Sequence, residues 1–492
     1  RFPDPVLQQV ENFSNPAETQ NDSFKSVSRY FDRITRPEQI LSSLPQALQV
    51  MLDPADCGPA TISLSQDVQG EAFDYPEIFF EEKIHIIRRI HPDPRQLNEA
   101  AEQLKLSKQP IIIAGGGILY SEAEKELSDF AKKHNIPVTP TVMGIGCMTK
   151  DDPYYIGAIG CLGEGSSNSL SKDTDLALAI GTKLGDFTTG SWSNFQNEDF
   201  KLVSINTARF DVTKHLAIPV ISDAKIGLLE LSKALGDWRA PNNWYERSID
   251  ERKKWDSYVE KQSGPTNQEL PSYAHAVGAV YRNADPSDIV VTAAGGLVGE
   301  VVQIWKPKEL NTFETEWGFS CMGYEISGAL GIKMAKPDQD VIVFVGDGSY
   351  LLHNSDIYSS VLYDKKLIIV VCDNGGHMVI NRLQLAKGGK EYLCNLKEAR
   401  ATNLQFVDFE AHAKSMGANG ETVTSTSELE AAFKRAKESK KTYVISIKTH
   451  GYEWLDGTAF WESPTLEVHS TAENKQAYEE FLAGKKDQRK GV

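Results

Sequence analysis

Residues 341–374 read VIVFVGDGSYLLHNSDIYSSVLYDKKLIIVVCDN, and no other stretch of the 492-residue chain restricts its fold as much. An apolar run, Val341 to Val345, stops at Gly346-Asp347-Gly348-Ser349, and a second, Leu367 to Val371, stops at Asp373-Asn374-Gly375-Gly376. Both runs have strand length and β-branched content, and the segment between them is long enough for a crossover helix. Two parallel strands joined in this way bring both polar ends to one edge of a sheet, where α/β folds bind ligands. Asp347 and Asn374 then become neighbours that offer hard oxygen donors. Such donors suit Mg²⁺ with a diphosphate rather than zinc. The alternative is a pair of unrelated strand-end turns, since Gly and Asp are ordinary turn residues.

The pattern of strand and helix continues upstream. Pro110 to Ala114 is a strand running into Gly115-Gly116-Gly117, and Gln96 to Leu106 and Ser121 to His134 read as helices, the second with Ser121 and Glu124 in capping-box positions. Ile136 to Thr139, Asp175 to Gly181 and Leu202 to Asn206 are further strands, giving a Rossmann-like unit. The triple glycine invites a dinucleotide-binding reading. It lacks the third glycine of GxGxxG, and no acidic residue ends a second strand near His134. Close packing of strand on helix is the other reading, and the unit is expected to bind neither FAD nor NAD. Further on, Ile289 to Thr292 and Tyr443 to Ile447 are strands, and Gly318 to Lys333 reads as a small-residue helix. A net charge of −16 argues against a nucleic-acid surface. The six cysteines have no CxxC or ligand spacing, which fits free thiols in a reducing cytoplasm. No apolar run reaches membrane-spanning length.

The GDG and Asp-Asn-Gly-Gly segments together resemble the metal motif of thiamine diphosphate enzymes. The resemblance implies that Asp347, Asn374 and the carbonyl of Gly376 hold Mg²⁺, and that Gly296, Leu297, Val298, Gly348 and Ser349 cradle the diphosphate. Asp373-Asn374 departs from the commoner Asn-Asn at the position that does not carry the metal. Met322, in EWGFSCMGYEISGALG, falls where acetolactate-synthase-like members wedge a large apolar residue under the cofactor. A plain core methionine is the alternative there. His353 and His377 flank the motif, either as proton donors or as structural histidines. The implied fold is α/β, with three domains of parallel sheets flanked by helices.

At finer grain, TQNDSFKSVSRYFDRITRPEQ, DPADCGPATISLSQDVQGEAFDYPEIFF, GTKLGDFTTGSWSNF and VCDNGGHMVINRLQ resemble the trihydroxycyclohexane-dione hydrolases of myo-inositol catabolism. That resemblance implies hydrolytic ring opening of a cyclic 1,2-dione to 5-deoxy-D-glucuronate, in a cytoplasmic homodimer or homotetramer. It calls for no nucleic-acid or membrane partner. An acetolactate-synthase-like carboligase or 2-oxoacid decarboxylase, or a non-catalytic paralogue, would share the same motifs. The expected layout is a pyrimidine-binding remnant and linker over 1–90, the central unit over 91–240, and a linker over 241–270. The diphosphate-binding unit would cover 271–465 and a tail 466–492. The chain opens on Arg1, and the first 30 residues do not read as a domain start. The ylid-forming glutamate that the resemblance implies is accordingly expected in a segment before residue 1, with Glu11 and Glu18 unsuited by position.

Overall fold

A computed structural model describes residues 18–489; the 6–13 stretch with Glu11 lies outside them. Among the described residues thirteen strands form three sheets, all paired in parallel. The first sheet is two-stranded and joins β1 (Tyr30–Ile34) to β2 (Ala60–Leu64), with Tyr30 opposite Ala60. The helix Ile40–Met51 packs on it and contains Pro45.

The central sheet holds β3 (Pro110–Ala114), β4 (Val138–Pro140), β5 (Leu176–Ile180), β6 (Lys201–Asn206) and β7 (Ile218–Ile221), in the order β4-β3-β5-β6-β7. Its glycines serve close approach. A Cβ on Gly115 would lie 2.3 Å from Gly181 O, and one on Gly117 would lie 2.5 Å from Gly181 Cα. The backbone after β3 is thus pressed against the backbone after β5.

The third sheet contains β8 (Ile289–Thr292), β9 (Phe313–Thr315), β10 (Val341–Gly346), β11 (Ile368–Asp373), β12 (Asn419–Val423) and β13 (Tyr443–Lys448). Their order is β12-β13-β11-β10-β8-β9. Val341 to Val345 and Ile368 to Cys372 are fully buried, because helices cover both faces of the sheet. Burying each such aliphatic side chain contributes about 1.5–3 kcal/mol, so the frame behind the strand ends is stiff. The chain moves to one side of β8 for β9 and to the other for β10. In such sheets ligands bind beyond the carboxyl ends of the strands on either side of such a reversal, here β8 and β10.

Several elements differ from the sequence reading. The capping box expected at Ser121 does not form. The helix begins at Glu124, and Ser121 Oγ instead donates to Asp223 Oδ2 at 2.9 Å. The small-residue helix begins only at Tyr324, because Gly323 at φ +97° turns the chain first; Met322 therefore sits in a loop rather than on the helix. Much of 241–270 is one helix, Asn242–Gln262. The C-terminal stretch forms a helix, Ala472–Lys486, and beyond it Gln488 Nε2 donates to Ser191 O (2.8 Å) and Arg489 Nη1 to Asn197 O (2.8 Å), both on the central unit.

Candidate cofactor and metal site

β10 and β11 run side by side with Gly346 opposite Cys372. Asp347 follows the first strand and Asn374 the second, so both emerge at the same edge. Asp347 opens the helix Asp347–Leu352 and is 6% exposed. Burial, reinforced by the Asp373 carboxylate, pushes its carboxyl up to about 6, against the backbone N–H groups of Gly348 and Gly376, which favour the charged form. A divalent cation would reverse that balance and hold the carboxylate ionised.

Asn374 shows the same readiness. Its Nδ2 donates to the Tyr273 hydroxyl at 2.7 Å, while its Oδ1 is buried and has no hydrogen-bond partner. A buried amide oxygen without a partner is costly and asks for a donor or a cation. Gly376, at φ +142°, lies so close to the facing 394–395 segment that a Cβ would sit 2.2 Å from Cys394 O. The turn 374–376 is fixed by Leu396 N–H bonding to Gly375 O (2.8 Å) and His377 N–H to Cys394 O (2.8 Å). Carboxylate, amide oxygen and main-chain carbonyl form an all-oxygen donor set, which fits Mg²⁺. Among the described residues no three His, Cys, Asp or Glu side chains gather into a metal-binding group. Asp373, the departure from Asn-Asn, accepts from Gly375 N–H (3.0 Å) and pairs with Lys448 at the end of β13.

The remaining candidates fall around this pair. A Cβ on Gly348 would lie 2.9 Å from His377 Cε1 and 3.5 Å from Met322 Cε, so the GDG turn faces both side chains. Met322 is 37% exposed, which removes the reading of a buried core methionine. His353 backs onto Gly323, whose Cβ would lie 2.5 Å from His353 Cβ, and its ring reaches towards Asp356 at 3.4 Å. His377 thus adjoins the GDG turn, while His353 is engaged by Asp356. At the end of β8, Leu297 and Val298 bury their side chains in the core, which leaves only main-chain groups for a ligand. The side-chain position of Gly296 is taken by the indole of Trp454, 2.1 Å from where a Cβ would be. Ser349 is 4% exposed and its hydroxyl is turned inward to Glu325, so its backbone N–H is the part left for a ligand.

Glu325 is the residue that the sequence reading missed. Only 1% exposed, it accepts from Ala294 N–H (3.2 Å), Gly323 N–H (2.9 Å) and Ser349 Oγ (2.8 and 2.9 Å). Burial raises its carboxyl, and the same donors oppose that shift. One side chain therefore ties together the end of β8, the Met322 loop and the helix that starts at Asp347. Its signal was a single acid among small residues, IS-G-A-L-G, at the start of a helix. Tyr273 and Trp454 were also missed. Their rings meet edge to face at 5.7 Å and 80°, and they connect Gly296 to Asn374 from behind.

A family model described as thiamine pyrophosphate enzyme, central domain, matches residues 97–231. A second, thiamine pyrophosphate enzyme, C-terminal TPP binding domain, matches residues 293–447. The chain belongs to the thiamine diphosphate enzyme family. Within it, a Bacillus anthracis protein is 36% identical over 515 residues, covering 97% of this chain and 79% of the relative. A Halalkalibacterium halodurans protein is 37% identical over 506 residues, and one from Shouchella clausii 36% over 505, with the same coverage. Each of the three is named 3D-(3,5/4)-trihydroxycyclohexane-1,2-dione hydrolase. No helix among the described residues is long and apolar enough to cross a membrane.

Proposed function

We propose that this chain opens the ring of 3D-(3,5/4)-trihydroxycyclohexane-1,2-dione by hydrolysis, with thiamine diphosphate and Mg²⁺, in myo-inositol degradation in the cytoplasm. The observation that carries the cofactor half of this reading is the buried, unpartnered Oδ1 of Asn374 at the strand edge it shares with Asp347. The substrate half is supported by the shared name of relatives that cover 97% of the chain. Water divides across the broken carbon–carbon bond. Its hydroxyl ends on one former carbonyl carbon, giving the carboxylate, and its hydrogen ends on the other, giving the aldehyde of 5-deoxy-D-glucuronate. Bound thiamine diphosphate supplies a carbon nucleophile and an electron sink for this cleavage.

The chain's own residues position the parts. Asp347, Asn374 and the Gly376 carbonyl would hold Mg²⁺, and main-chain N–H groups of Gly296, Leu297, Val298, Gly348 and Ser349 would hold the diphosphate. Met322 presents its methyl group beside Gly348 as an apolar support. His377, beside the same glycine, would hand on a proton. A homodimer or homotetramer is the assembly proposed. The test is to incubate the purified full-length protein with the dione, or with pyruvate, and follow products by proton NMR. Ring opening of the dione, dependent on Mg²⁺ and abolished by Asp347→Ala, is expected. Turnover of pyruvate without turnover of the dione would replace this reading with a carboligase or decarboxylase.

A further inference from the structure

We infer that Tyr273 is a positioning residue for the metal: its hydroxyl sets which end of the Asn374 amide meets the cation. The inference rests on the metal reading given above and goes beyond it to a residue outside the motif. A side-chain amide has an acceptor end and a donor end of nearly the same shape. Turned the wrong way, Asn374 would aim two N–H donors at a cation. What selects the right orientation has to be a group that distinguishes nitrogen from oxygen. Tyr273 does so. Its hydroxyl oxygen accepts from Asn374 Nδ2 at 2.7 Å, which takes up the donor end and leaves Oδ1 buried and without a partner.

The tyrosine is itself held firmly. It is 5% exposed and is the first residue of the helix Tyr273–Asn283, whose start is fixed by Ser272 Oγ accepting from His275 N–H (3.3 Å) and by Ser272 N–H donating back to His275 Nδ1 (3.1 Å). Trp454 closes on its ring at 5.7 Å and 80°. That indole is in turn fixed between Gly296 and the guanidinium of Arg382, 5.0 Å from its ring centre. The hydroxyl thus stands on a side chain with little freedom to follow a rotating amide. Outer partners of metal ligands commonly contribute 10- to 100-fold in metal affinity by fixing ligand orientation, roughly the range expected here.

The test is a Mn²⁺ titration of the full-length protein with thiamine diphosphate at a fixed concentration. Bound ion is read from the loss of the free Mn²⁺ paramagnetic resonance signal. Tyr273→Phe keeps the ring and its packing on Trp454 and removes only the hydroxyl. It should bind Mn²⁺ about 10- to 100-fold more weakly than the wild type while remaining folded by far-UV circular dichroism at the temperature of the titration. The decisive comparison is in an Asn374→Asp background. A carboxylate presents two equivalent oxygens and needs no orienting, so adding Tyr273→Phe there should change the affinity less than twofold. Asp347→Ala, run in parallel, should lose binding outright. Binding by Tyr273→Phe within twofold of wild type would overturn the inference while leaving the metal site standing. An equal loss in the Asn374→Asp background would also overturn it, because the tyrosine would then act through packing. Wild-type binding by Asp347→Ala would instead remove the metal reading itself.

Discussion

Truncating Glu325 to alanine should both destabilise the protein and loosen the cofactor site, and the size of the effect follows from its hydrogen bonds. Three donors meet its carboxylate: Ala294 N–H, Gly323 N–H and the Ser349 hydroxyl. Without it, Gly323 N–H keeps a partner, since it also donates to Ser349 Oγ at 2.8 Å. Ala294 N–H and the Ser349 hydroxyl lose theirs, and both residues are buried. Leaving two buried donors unsatisfied costs about 2–6 kcal/mol. Part of this is offset because a carboxylate that burial already disfavours is removed. A net loss of about 3 kcal/mol is expected, which for a unit of this size lowers the melting temperature by roughly 6–12 °C. Thermal unfolding followed by circular dichroism reads the first effect, and thiamine diphosphate titration by tryptophan fluorescence reads the second. Affinity should fall by at least tenfold, because the Met322 loop and the Asp347 helix are no longer tied to the end of β8. Glu325→Gln, which keeps the volume and one acceptor, should lie between the two. If the alanine variant unfolds within 2 °C of wild type and binds thiamine diphosphate equally well, Glu325 is not the clamp described here.

Gly376→Ala places a Cβ 2.2 Å from Cys394 O at a backbone φ of +142°. It should cost about 1–3 kcal/mol from backbone strain alone, and Mn²⁺ titration should show weakened binding; wild-type values for both would show that the turn can relax. Glu300 is 4% exposed, and burial pushes its carboxyl from 4.5 up to about 7. Because the folded-state value is raised, its contribution is full below 4.5 and is lost as pH rises through about 7. Measured by urea unfolding, the stability of the wild type relative to Glu300→Gln should fall by roughly 3 kcal/mol between pH 4.5 and 7.5. A pH-independent difference would refute that assignment.

The parts of the fold legible in the sequence are those buried from both sides. Val341 to Val345, Ile368 to Val371 and Ile111 to Ala114 are fully buried, so their composition alone reads as strand. β12, NGETV, carries exposed polar residues at a sheet edge, and β7, IPVI, is four residues long with a proline, so neither stood out. Ser121 followed by Glu124 has the spacing of a capping box, yet the hydroxyl found a buried acid 102 residues away. Asp347 and Asn374 could be located because each directly ends a legible strand. Glu325 and Tyr273 could not be, since Ser349 and Ala294 lie 24 and 31 residues from the first and Asn374 lies 101 from the second, brought near only by the closed sheet. Met322 was visible as a motif position, but its exposure depends on the turn at Gly323, which local periodicity does not encode.

Where the central unit meets the diphosphate-binding sheet, Lys306 Nζ reaches Glu164 Oε2 at 3.5 Å and also pairs with Asp256. The Glu164 side chain is 1% exposed and that of Lys306 is 11% exposed. Removing Lys306 would strand the Glu164 carboxylate, at a cost of about 3–5 kcal/mol, whereas exchanging both for apolar residues can be nearly neutral; Lys306 without Glu164 would still have Asp256. Homologous chains that keep Glu164 should therefore keep Lys306 as well, and chains with the acid but not the lysine should be rare. The join between the two units then leaves an imprint on descent: the lysine at 306, though 142 positions from 164 in the sequence, is expected to be lost only where the acid at 164 has been lost too.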